Sequence, residues 1–63
     1  MPIINVSGPP LEVERKRDLA RRLTEVMCDV YRRPAEHIII VIYENPPENV
    51  AVGGKLVVDR KND

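Results

Sequence analysis

Residues 38–43 read Ile-Ile-Ile-Val-Ile-Tyr, with no polar residue at any alternate position. Successive side chains of a strand point to opposite sides, so a strand with one wet face alternates. A strand apolar on both faces is buried on both faces. In a chain of 63 residues, one amphipathic helix can cover one of those faces. Nothing else here is large enough to cover the other, so a second subunit is expected there. A chain this short leaves much apolar surface open and needs a staple or a partner. Its one cysteine, Cys28, excludes an internal disulfide, and with the single His37 it offers no metal-ligand pair of suitable spacing. Oligomerisation is the remaining source of stability.

The helix that covers the first face is legible upstream. Leu19, Ala20, Leu23, Val26, Met27 and Val30 form one apolar stripe at helical period. Glu12, Lys16, Arg17, Arg21, Arg22, Glu25 and Asp29 occupy the other side. The pairs Glu12–Lys16 and Asp18–Arg22 stand acid before base at i,i+4, each worth about 0.2–0.5 kcal/mol. Gly8-Pro9-Pro10 favours a helix start near Leu11 or Glu12, and Pro34 stops it after Tyr31. Glu12 and Glu14 suit the positive end of the helix dipole, and Arg32-Arg33 the negative end.

Ile3, Ile4 and Val6 make residues 2–7 a short strand, with proline tolerated at its first position. Strand, helix and strand make a β-α-β unit, whose strands run parallel through a right-handed crossover. Residues 45–49 are a loop. Val50 to Val52 and Lys55 to Val58 flank Gly53-Gly54 as a short hairpin, and residues 59–63 are a charged tail. The fold class expected is α/β, a single domain over residues 1–63.

Composition narrows the function. Ten basic and ten acidic residues cancel, so no whole-domain field draws in nucleic acid. The Arg15-Lys16-Arg17 and Arg21-Arg22 clusters are interleaved with acids and read as a solvated helix face. No apolar run approaches the roughly 20 residues that cross a bilayer, and no signal peptide opens the chain. A cytoplasmic location is expected.

Pro2 is the candidate reaction centre. Proline within a chain is a tertiary amide without a proton. If Met1 is removed, Pro2 becomes a secondary amine on the first residue of a strand. Such α-amino groups titrate near neutral pH, and burial beside cations lowers the pKa further. Those are the properties of a general base at physiological pH.

Pro2-Ile3, the amphipathic helix, Pro34, the strand ending at Glu44, and Val52-Gly53-Gly54 occur here in one order and spacing. In that arrangement the chain resembles the 4-oxalocrotonate tautomerase family over nearly its whole length. The resemblance implies a homohexamer built as a trimer of dimers, or a smaller related assembly. It also implies cofactor-free enol–keto tautomerisation of small 2-hydroxydienoate or 2-oxo acid substrates, with Pro2 as catalytic base. Family members acting on dicarboxylic dienols add two arginines and an aromatic residue. The place of the first arginine is held here by Pro10-Leu11, with Arg15 a turn further on. Ile39 stands at the place of the second, and Val50 at that of the aromatic residue. Only the proline matches.

Arginine binds a carboxylate bidentately and lends electrophilic assistance, so the two losses weaken activity on a dicarboxylate. Three readings follow: a different substrate, cations such as Arg15, Lys55 or Arg60 entering from elsewhere in the assembly, or a weak catalyst. Tyr43 is a candidate donor to an enolate, against plain interface packing at a strand end. A non-catalytic oligomerisation or partner-binding module that kept the fold is the alternative function. His37 reads as a loop residue and Cys28 as a helix residue without a catalytic role.

Overall fold

The computed structural model describes residues 1–60. Strand β1 spans Ile3–Gly8, helix α1 Val13–Tyr31 and strand β2 Ile39–Glu44. Short strands β3 (Ala51–Val52) and β4 (Lys55–Leu56) follow, with single 3-10 turns at Ala35–His37, Pro47–Asn49 and Val57–Asp59.

Strands β1 and β2 pair in parallel, from Ile3 opposite Ile39 to Gly8 opposite Glu44. Both begin one residue later than the apolar pattern suggests. The pairing starts with the Ile39 N–H donating to the Pro2 carbonyl at 3.0 Å, and Asn45 N–H closes the far end on the Gly8 carbonyl at 2.8 Å. Along β1 the exposure alternates, with Ile4, Val6 and Gly8 half-buried and Ile3, Asn5 and Ser7 exposed. Parallel partners share a face, so Ile40 and Ile42 join Ile4 and Val6 under the helix. Ile3, Ile39, Val41 and Tyr43 line the open face.

Helix α1 starts at Val13, slightly later than expected, because Glu12 is still extended and caps with no side-chain hydrogen bond. It ends at Arg32, whose φ of 57° places it in the left-handed region. Such a residue is the usual reversal after a helix. Arg32 N–H donates to the Cys28 carbonyl at 2.9 Å, and Pro34 prevents continuation.

Three expectations need correction. The helix face against the sheet is centred on Ala20, Leu23, Thr24 and Met27, all half-buried. Val26 and Val30 are not under it: they remain 59% and 70% exposed. A step of 100° per residue puts Val26 roughly 120° from Ala20, on a flank the sheet does not reach. Lys16 does not pair with Glu12. Its ammonium sits 2.7 Å from the Glu44 carboxylate at the end of β2, whereas Asp18–Arg22 forms as expected, at 3.1 Å. The hairpin arms are also shorter, because Val57 and Val58 turn into a 3-10 turn rather than prolonging β4. Gly53 and Gly54, at φ 62° and 85°, make the turn, as a type I′ connection requires positive φ at both central positions. Asp59 belongs to the 3-10 turn, while residues 61–63 of the charged tail lie outside the described residues.

No described residue is fully buried. The radius of gyration is 15.1 Å, against about 10.6 Å for a compact chain of this length. The hairpin forms an arm, closed on the Pro47–Asn49 turn by Val57 N–H donating to the Val50 carbonyl at 2.8 Å. A single chain therefore has layers but no interior.

Candidate active site

Pro2 sits at the edge where both parallel strands begin. Its carbonyl is held by Ile39 N–H, and its ring is half-buried. That hydrogen bond fixes the residue without using its nitrogen, which carries Met1 as an amide in the full chain and is an amine once Met1 is gone.

The elements around Pro2 follow from topology. Helix α1 returns antiparallel to β1 to reach the start of β2, so its C-terminal end arrives at the same edge as Pro2. The left-handed Arg32 turns the chain there. Arg33 and Pro34 follow, and the 3-10 turn closes with His37 N–H donating to the Pro34 carbonyl at 2.9 Å. The result is an open cleft of about 370 Å³ lined by Met1, Pro2, Arg33, Glu36 and His37. Among the described residues Arg33 forms no ion pair. A proline, a guanidinium, an imidazole and one carboxylate thus share one cleft.

Of the residues singled out from the sequence, the structure brings Ile39 to Pro2 through the backbone bond, and it adds no charge there. Arg15 lies at the opposite end of the molecule, in a groove at the start of α1 with Leu11, Glu14 and Asp18. Tyr43 pairs with Ser7, four strand steps or about 13 Å beyond Ile39. Val50 lines an apolar cleft of about 430 Å³ with Ser7, Pro9 and Val57. Lys55 belongs to β4 and Arg60 follows the last 3-10 turn. Within one chain none of Arg15, Tyr43 or Val50 shares the cleft of Pro2.

Arg33 and Glu36 are lining residues to which the sequence gives no site role, and His37 is one it reads only as a loop residue. A signal existed. Once a strand–helix–strand unit is assigned, residues just after the helix must fall beside residues just before the first strand.

At the other end of the sheet, Glu44 organises the helix entrance. Its carboxylate accepts from Lys16 at 2.7 Å and from the Leu11 N–H at 2.9 Å. The Lys16 hydrogen bond first, and the Leu11 N–H second, hold its pKa below the ordinary value against a smaller opposing effect of desolvation. Asp18 is also lowered. Desolvation alone would raise it, and the combined hydrogen bonds and charges of Arg21 and Arg22 overcome that. Both acids are structural and remote from Pro2.

A model of the tautomerase enzyme family matches residues 2–60. The match takes in Pro2, the helix, both long strands and the hairpin. Among solved structures, DmpI from Archaeoglobus fulgidus is 46% identical, with 92% of this chain and all of that one covered and a TM-score of 0.85. A 4-oxalocrotonate tautomerase homologue is 32% identical over 98% of this chain and 100% of its own, at a TM-score of 0.87. TomN, a homologue from the tomaymycin biosynthetic pathway, is 28% identical over 94% of this chain and 92% of its own, with a TM-score of 0.86. No curated protein sequence matches significantly.

Proposed function

Because the chain belongs to the tautomerase family, we propose that it is a cofactor-independent isomerase interconverting enol and keto forms of small 2-oxo acids. The observation that carries this reading is a proline at the strand edge, inside the family match and fixed there through its carbonyl. With Met1 removed, the Pro2 amine takes the hydroxyl proton of the enol as the carbonyl forms. It then delivers a proton to carbon, so substrate and product are isomers and no redox partner is required. The substrate's own carbonyl carries the developing charge. The amine only relocates a proton, a role that suits a base titrating near neutrality.

The assembly we propose is a homo-oligomer, with a hexamer built from dimers as the arrangement the resemblance implies. Its support is physical: a chain without interior whose Ile3, Val26, Val30 and Tyr43 all stand at least half exposed. A cytoplasmic location completes the proposal.

The test is a form that retains Met1, verified by intact mass. Its Pro2 nitrogen is an amide, and its α-amine lies one residue away. Activity on an enol substrate is expected to vanish in this form, with oligomeric mass and helix content unchanged. Equal activity in both forms would remove Pro2 from the chemistry.

A further inference from the structure

We propose that Arg33 anchors the substrate carboxylate beside Pro2, and that Glu36 restricts the site to monocarboxylate enols. This rests on the tautomerase reading of Pro2 and adds to it the class of substrate.

The argument begins with charge. A 2-oxo acid places a carboxylate directly beside the reacting carbons, so whatever binds that group must be adjacent to the base. Arg15, Lys55 and Arg60, the cations weighed from the sequence, lie outside the Pro2 cleft of the same chain. Arg33 lines it. The other arginines of the helix face are committed: Arg17 to Glu14, Arg21 to Asp18 and Glu25, and Arg22 to Asp18. Arg33 forms no such pair among the described residues, so its planar fork is available for a bidentate carboxylate. Its backbone is also constrained, following the left-handed Arg32 and preceding Pro34, so the side chain starts from a fixed point.

The second half concerns what the cleft rejects. A dicarboxylic substrate brings a second negative charge into the same space. Glu36 lines that space, and a like charge close by destabilises a bound anion. One guanidinium and one carboxylate together favour a substrate with a single negative charge and an uncharged far end. His37, on the same 3-10 turn, supplies a polar wall next to Arg33.

The experiment combines binding with turnover on the processed, assembled protein. Binding of phenylpyruvate is measured by calorimetry for the wild type, Arg33→Ala and Pro2→Ala. Ketonisation of enol-phenylpyruvate and of 2-hydroxymuconate is measured for the wild type, Arg33→Ala and Glu36→Gln. Arg33→Ala is expected to weaken phenylpyruvate binding roughly tenfold or more, the scale of a lost charge-assisted hydrogen bond. The same variant raises KM more than it lowers kcat. Pro2→Ala keeps the binding. Glu36→Gln raises kcat/KM on the dicarboxylate several-fold relative to the monocarboxylate. An active wild type with phenylpyruvate binding and KM indifferent to Arg33 overturns this inference and leaves the tautomerase reading intact. A dicarboxylate preference that persists in the wild type overturns the restriction assigned to Glu36. Arg33-dependent binding without proline-dependent turnover has the opposite meaning, a carboxylate site on a chain that is not a tautomerase. Absence of phenylpyruvate binding and of turnover defeats both.

Discussion

Glu44 joins the end of β2 to the entrance of α1 through a single carboxylate, which accepts from Lys16 and from the backbone of Leu11. Its pKa is lowered in the folded chain, so on acidification the unfolded chain takes up the proton first. The stabilisation is complete above the ordinary value near 4.5. It is lost as pH falls through the lower, folded value. Glu44→Gln is expected to melt a few degrees below the wild type at pH 7, and the gap should close on acidification below about pH 4. Thermal melts across that range check it, and a gap independent of pH would contradict the assignment. At Pro2 the carbonyl belongs to the sheet, and the proposed function gives the nitrogen to the reaction.

At the scale of elements, the long pieces were legible because their signals are local. A helical stripe and an apolar run are visible within a window of a few residues, and α1, β1 and β2 appear where those signals stand, give or take one or two positions. What the local pattern could not show was which apolar residues the sheet reaches. Val26 and Val30 satisfy the helical period yet lie on the flank of α1, because a two-stranded sheet is narrower than the stripe. The same limit applied to the site. The family resemblance points to Ile39 in place of an arginine and Val50 in place of an aromatic residue, neither of which supplies the expected group, and to Arg15, which within one chain lies at the far end of the helix from Pro2. Arg33 and Glu36 became visible only when the antiparallel return of α1 placed its C-terminal end beside Pro2. Lys16 pairs with Glu44 rather than Glu12 for a related reason: its partner lies in β2, and no helical spacing points to it.

The whole molecule is defined by what a single chain fails to bury. An open sheet face, a flank of α1 and a projecting hairpin arm give three apolar surfaces that the proposed oligomer would cover. Val30→Glu places a charge on the flank of α1. Full burial of such a valine is worth about 1.5–3 kcal/mol, and a buried unpaired charge costs more. The variant should show a lower mass by analytical ultracentrifugation and a melting temperature that depends strongly on concentration. An unchanged mass would mean that this flank faces solvent in the assembly. The proposed chemistry centres on Pro2. The most direct measurement is the pH dependence of ketonisation of enol-phenylpyruvate and 2-hydroxymuconate by protein shown to lack Met1, beside Pro2→Ala. The account predicts a rate well above buffer that rises with deprotonation of the amine, and a loss of about 100-fold or more in Pro2→Ala. Processed protein no faster than Pro2→Ala on either substrate, at any pH, would contradict it.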